Sequence, residues 1–438
     1  MSRRNYVKWV VLLSLLAAIM ASSLAFAQEI TINRPLDGAT VRETVNVLIP
    51  ISSVPPGGFI SCLIDGKFRS ALATMSASDD YFVYRWDTKE INPDPQLTDE
   101  QRKPRDGKHT ITVQGYESEG KPFGVGKTIS VYVKNSASSD MPASGLKLRY
   151  RQKVGLLNKY DFKYTLSLKS VEGATDVAKS AGEAVEGAEG TIKRSVEDII
   201  SGTQTLIRQK AIGIVKTYEA GQAVPAMWLI PKAGYHIEDS LGRITSVMKS
   251  TSPGTAVTLD FPNLPSEYVR IGDTWYQDEK MLRNAITGEA ATFSTTSTLE
   301  GLEWECGYPC AKIRTTFSGT ARIPFSSVFW EPMNITGETI TYFAYQFGKI
   351  VASETLATAT GSVDSGTVSS LTKARLSSGG TGGQSPSPFG SSGSPRMTST
   401  MPSRSPVMSG ASFIGATGTT AQTVNVKLEL KQSVKLSL

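Results

Sequence analysis

Strict alternation of apolar and polar residues marks both ends of the longer half of this chain. Leu146, Leu148 and Tyr150, then Tyr160, Phe162, Tyr164, Leu166 and Leu168, occupy even positions, while Lys147, Arg149, Lys159, Asp161, Lys163 and Lys169 occupy odd ones. A period of two puts the first set on one face of a strand. The pattern returns in Val424, Val426, Leu428, Leu430, Val434, Leu436 and Leu438, broken at Gln432. These two stretches are expected to bracket one domain, and each fully buried side chain is worth roughly 1.5–3 kcal/mol before entropy is counted. Further strands are predicted between them at 205–219, 226–238, 255–259, 290–303, 311–321, 338–347 and 350–359, mostly joined by hairpin-length turns. Gly348-Lys349 reads as a two-residue hairpin and Gly307-Tyr308-Pro309 as a short one. A long antiparallel meander with one apolar face needs a cover, so it should curl into a barrel or half-barrel or pack on a helix.

The spacing of Val171, Ala174, Val177, Ala178, Ala181, Val185, Ala188, Ile192, Val196 and Ile199 predicts that helix, over 171–200. It would be poorly made, since Gly173, Gly182, Gly187 and Gly190 each cost about 1 kcal/mol relative to Ala.

The shorter half of the chain shows short strands near 30–32, 59–64, 81–86, 109–116 and 128–133, separated by Gly, Pro and Asp turns. That is the pattern of a β-sandwich. The motifs Pro35-x-Asp37-Gly38, Ile64-Asp65-Gly66, Tyr84-x-Trp86-Asp87-Thr88, Asp106-Gly107-x-His109-Thr110-Ile111 and Val131-x-Val133-x-Asn135 resemble bacterial Ig-like repeats. The resemblance covers 28–135 and implies display or recognition rather than chemistry. A small-residue stretch, 136–145, then reads as a linker to the second β domain at 146–376. Residues 377–422 are rich in Gly, Ser, Pro and Thr and cannot bury enough surface to fold, so they read as a disordered insertion before the final strand, 423–438.

Residues 1–27 have the layout of an export signal: a basic start, an apolar run from Trp9 to Ala21, and Ala25-Phe26-Ala27 before Gln28. The chain is therefore expected in the periplasm or outside the cell, with no integral membrane span after cleavage. The general secretory route is the reading adopted. Arg3-Arg4-Asn5-Tyr6-Val7 is similar to the twin-arginine motif and keeps that route as the alternative.

Composition narrows the function further. The formal charge is +6, and without Arg3, Arg4 and Lys8 it is 43 basic against 40 acidic residues, or +3. That is too weak and too scattered to indicate nucleic acid. Two histidines in 438 residues weigh against a Ser-His-Asp site or a His-based metal site, and no catalytic residue, metal site or cofactor is expected. Cys306-Gly-Tyr-Pro-Cys310 reads as a hairpin disulfide or a pair of structural thiols in an exported protein. The charged loop 91–106, with Asp94, Asp99, Glu100 and Asp106, is a candidate binding loop, although the interleaved Arg102, Lys103 and Arg105 spoil a calcium site. Glu303 and Glu305 flank Trp304 and raise a carbohydrate-acting hydrolase as a weak alternative. His109 shares the parity of Ile111 and Val113 and reads as a packed or edge histidine, Cys62 as a free buried thiol, and His236 as a surface residue.

The motifs Tyr268-Val-Arg-Ile-Gly-Asp-Thr-Trp-Tyr276 and Tyr342-Phe-Ala-Tyr-Gln-Phe-Gly-Lys-Ile-Val351 resemble exported bacterial β domains, some of them half-barrel carriers of lipoproteins. This resemblance implies a curved sheet whose inner face holds an apolar group, against a face simply filled as a core. The expectation is an all-β protein: an N-terminal Ig-like β-sandwich, then a larger antiparallel curved sheet or half-barrel with a helical insertion. Its expected role is non-catalytic binding of an envelope or extracellular protein, glycan or lipid, with a structural or adhesive surface protein as the alternative.

Overall fold

A computed structural model describes residues 29–73, 80–90, 106–172, 184–219, 222–224, 233–248, 261–283, 290–321, 331–365 and 423–437. The fold is all-β, an Ig-like sandwich and a large curled half-barrel sheet. Its contacts divide it into two units, Met1–Leu146 with Gly301–Lys312, and Lys147–Glu300 with Ile313–Leu438.

In the first unit the strands are β1 (Thr40–Val41), β2 (Thr44–Pro50), β3 (Phe59–Ile64), β4 (Lys67–Ala73), β5 (Tyr81–Asp87), β6 (Gly107–Tyr116) and β7 (Pro122–Val133). They form a five-stranded sheet in the order β1-β7-β6-β3-β4 and a two-stranded sheet, β2-β5. Alternation buries one side of each strand, so Val47, Ile49, Ile60, Phe82, Ile111 and Val131 meet in a single core. Cys62 lies within it, and burial pushes its thiol up to about 12, which leaves it inert at neutral pH. The β3–β4 hairpin turns at Asp65-Gly66, where both φ angles are positive, as a two-residue turn of matching twist requires.

The stretch that the sequence marks as a linker is tied down at its start. Asp106 accepts the backbone N–H groups of Asn135 and Ser136, each at 2.8 Å, and the buried side chain of Asn135 is hydrogen-bonded to Thr88. Ala137 N donates to Leu302 O, and Trp304 N donates to Asn135 O, both at 2.8 Å. Residues 135–137 therefore lie antiparallel to the hairpin tip 301–312 through one isolated β-bridge, Ser136 to Glu303.

The second sheet contains β8 (Leu157–Glu172), β9 (Ala184–Ser201), β10 (Gln204–Glu219), β11 (Gln222–Val224), β12 (Ala233–Asp239), β13 (Ile244–Met248), β14 (Thr274–Arg283), β15 (Ala290–Glu305), β16 (Tyr308–Ala321), β17 (Met333–Ala344), β18 (Lys349–Asp364) and β19 (Thr423–Leu436). Its order is β13-β12-β10-β9-β8-β19-β18-β17-β16-β15-β14, with the short β11 beside β10. The two long alternating strands meet in the middle of the sheet, Leu166 opposite Leu430 and Leu168 opposite Leu428. Inward residues of β8 and β15–β19 bury one another in an apolar cluster that includes Tyr164, Leu166, Phe293, Ile335, Val426 and Leu428.

Three sequence expectations change here. The helix expected over 171–200 is replaced in its described part by strand: Ala184–Ser201 is paired on both sides, with β8 and β10, and residues 173–183 lie outside the described residues. Two ladders satisfy the backbone that Gly187 and Gly190 would have weakened in a helix, and the apolar positions at spacing four, Ile192 and Val196, also share one face of a strand. Leu146, Leu148 and Tyr150 are buried, yet they precede β8 instead of beginning it. The turn before β18 spans Tyr345 to Gly348, not Gly348-Lys349. An added Cβ on Gly348 would come within 2.5 Å of Arg151 N, so the glycine is needed for the segment 149–151 to pass, and Arg151 N donates to Gly348 O.

Candidate functional site

The inner face of the second sheet is apolar along β8 and β15–β19 but charged where β8, β9, β10 and β12 lie side by side. Asn158, Arg194 and Gln209 stand opposite one another across β8, β9 and β10, all buried. On β12, His236 and Glu238 face the same way and are 5% and 4% exposed. Glu238 Oε1 receives Arg194, and Oε2 lies 3.1 Å from His236 Nε2. Aromatic rings close over the pair: the Arg194 guanidinium lies 5.3 Å from the Phe261 ring centre and 6.0 Å from that of Tyr150. Tyr150 is itself held by its hydroxyl, which donates to Pro262 O at 2.9 Å.

The electrostatics of this cluster follow from its burial. Desolvation pushes the Glu238 carboxyl upward, but the Arg194 charge and the hydrogen bonds from His236 and Arg194 outweigh it and hold the group below the usual carboxylate range. Burial pushes the Tyr160 hydroxyl up to about 12. Both Glu238 oxygens are taken and the group is shielded from solvent, so it offers no base or nucleophile to a substrate. Arg194 Nε and Thr205 Oγ1 are buried donors with no hydrogen-bond partner among the described residues.

Reading His236 as a surface residue was therefore wrong by one step of parity. The pair Tyr235 and Ile237 looks like the core face, but the register with β10 turns His236 and Glu238 inward instead. Arg194 had a sequence signal that went unused: it stands between Ile192 and Val196 at spacing two, on an apolar face.

The sequence-derived candidates fall elsewhere. Asp94, Asp99 and Glu100 lie outside the described residues, and Asp106 serves as the acceptor that fixes 135–136. Cys306 and Cys310 are separate thiols in the structure. The hairpin turn is Cys306-Gly307, with φ 53° and 75°, which places Cys306 in the turn while Cys310 is buried on β16. The Cys310 thiol approaches Tyr308 O at 3.3 Å instead, and burial raises its pKa. His109 is half-buried, 2.7 Å from an Asp65 oxygen and edge-on to Trp86. Glu303 and Glu305 are each held by a lysine, Lys312 at 3.0 Å and Lys89 at 2.7 Å, and Arg42 covers the Trp304 ring at 3.8 Å. Among the described residues no three His, Cys, Asp or Glu side chains gather closely enough to hold a metal, and no helix is long and apolar enough to cross a membrane.

The outward face of β8–β10 is different again. Lys159, Lys193 and Lys210 occupy one cross-strand row. Beside them, Leu157, Ser195 and Arg208 form the next row, and an open groove of about 440 Å³ is lined by Leu157, Lys193, Ser195, Arg208 and Lys210 together with one acid, Glu197.

No family model matches the chain, and no curated protein matches it. Among solved structures, the Clostridium thermocellum CbhA fibronectin(III)-like modules align with 47% of this chain and 90% of theirs, at 12% identity and a TM-score of 0.18. At that score the alignment identifies neither a family nor a function, and the Ig-like assignment rests on the strand order and core described above.

Proposed function

We propose that this chain is an exported, non-catalytic binding protein of the cell envelope or exterior, and that its second unit binds through its surface and not around an enclosed apolar ligand. The observation that supports the reading is the filled inner face, where Tyr164, Leu166, Phe293, Ile335 and Val426 bury one another. An apolar carrier needs an unfilled concave face, so a core of this kind weighs against a lumen for an acyl chain. The carboxylates considered for hydrolysis are each engaged by a basic side chain, which supports a non-catalytic role.

Native mass spectrometry of the protein purified from its source tests this reading, together with sequencing of its N-terminus. The expected result is a chain beginning near Gln28 with no tightly held lipid. A stoichiometric lipid that survives desalting would restore the carrier, and an unprocessed chain in the cytoplasm would overturn export.

A further inference from the structure

The register of the second sheet sets three like charges side by side. Lys159 on β8 faces Lys193 on β9, which faces Lys210 on β10, all on the outward side. Adjacent strands lie about 4.8 Å apart, so the row spans roughly 10 Å. Like charges directly opposite one another destabilise a sheet, and no acidic partner among the described residues offsets this row. One acid, Glu197, lines the groove and offsets part of the Arg208 charge, and the other acids nearby are committed elsewhere. Asp161 accepts the hydroxyls of Thr191 at 2.8 Å and Ser437 at 3.0 Å, Glu197 accepts the Ser195 hydroxyl and lies 4.0 Å from Arg208, and Asp198 accepts the backbone N–H of Ile199 at 2.8 Å. Arg208 adds a second sign, since its Nε is buried with no hydrogen-bond partner among the described residues. It lines the same groove as Lys193 and Lys210.

Exposed aliphatic side chains flank the row at one end: Leu157, in the row beside it, is 49% exposed, and Val154 and Ile200 nearby are 53% and 49% exposed. Backbone bonds hold the two segments together there: Gly155 N donates to Val196 O, and Val196 N donates to Leu156 O. Lys153 is exposed in the same stretch. A sugar chain would call for aromatic faces and paired amide or carboxylate groups at the groove. Here the neighbours of the cationic row are aliphatic, a combination that suits a phosphate carried on an acyl-chain surface.

We propose that the outward groove of β8–β10 binds the phosphate group of an anionic lipid headgroup, with Lys193, Lys210 and Arg208 as the cations that line it, Lys159 extending the same row, and Leu157 resting in the interface. The site deepens the surface-binding reading above. It is read on vesicles in vitro, so its failure would leave export and the absence of an enclosed lipid standing, and theirs would leave the groove standing.

The test is co-sedimentation of the full chain with vesicles of phosphatidylglycerol and phosphatidylcholine, against phosphatidylcholine alone. Binding is expected only with the anionic lipid and should weaken as salt rises. Replacing all three lysines (Lys159→Gln, Lys193→Gln, Lys210→Gln) should weaken it on the order of a hundredfold, from about fivefold per lysine near a charged surface. The variant Leu157→Ser should weaken it less, and a charge-matched control (Lys108→Gln, Lys121→Gln, Lys134→Gln) should bind as the parent does. The proposal is overturned by no vesicle binding, by equal binding to neutral vesicles, or by a lysine variant that binds like the parent. Binding of inorganic phosphate at the groove without vesicle binding would overturn the lipid as its source.

Discussion

Strands β8, β9 and β10 carry charge on both faces and handle it in opposite ways. Inward, Arg194 is buried between Asn158 and Gln209 and is matched by Glu238, which is matched in turn by His236. Outward, the rows one step away place Lys159, Lys193 and Lys210 together with no match among the described residues. Where water is excluded, an unpaired charge would cost several kcal/mol, so a partner is built in. Where water is present, a like-charge row costs only a fraction of that, and it can be kept for a ligand.

Both faces belong to one sheet, and its seam is the place to break it. β19 joins β8 to β18 and contributes Val424, Val426, Leu428 and Leu430 to the core. At roughly 1.5–3 kcal/mol each, these residues alone approach the whole marginal stability of a domain. Ending the chain after residue 422 should abolish cooperative unfolding of the second sheet, while amides of β6 and β7 keep their exchange protection. Unchanged protection in β8 and β18 would show that the seam is dispensable.

Next in size is the inward charge. Glu238→Gln leaves Arg194 buried without its counter-charge and should lower stability by about 3–5 kcal/mol. The double variant Arg194→Met, Glu238→Leu removes both charges and should recover most of that loss. If the double variant is as unstable as the single one, packing and not charge governs this face. Urea unfolding followed by exchange in β9 and β12 measures both.

Acid should act on the same pair. The native Glu238 carboxyl is held below its ordinary value of 4.5, so it binds a proton more weakly folded than unfolded. Its contribution is complete above the unfolded value, and it drains away as pH falls from about 5 down through the native value. The parent should therefore lose stability more steeply than Glu238→Gln over that range. Parallel acid profiles would mean that Glu238 is not the group being titrated.

Much of the seam was legible in the sequence, and little of the inward charge was. Alternation in 160–168 and 424–436 shows both strands and their buried faces because one side of each is apolar apart from Gln432. At 184–201 the small residues carry no such contrast: Val185, Ala188, Ile192, Val196 and Ile199 satisfy a helical spacing, and the middle three of them satisfy an alternating one as well. Only pairing with β8 and β10 decides between them. His236 and Glu238 are a harder case, since a short strand with polar and apolar residues on alternate positions does not say which set faces in. Arg194, two residues from Ile192 and from Val196, was readable once the segment is taken as a strand.

The smallest effect belongs to the outward row, and its sign separates the two faces most cleanly. Removing one charge from the buried cluster should destabilise the fold, whereas Lys193→Gln removes the central member of a like-charged row. Lys193 faces Lys159 and Lys210 on its two sides, so relief of both repulsions should raise stability by about 0.2–1 kcal/mol. High salt should shrink the gain, because exposed charges are screened where buried ones are not. A loss of stability in Lys193→Gln at low salt would mean that the row is compensated by groups outside the described residues, and the outward face would then hold no excess of positive charge to offer a ligand.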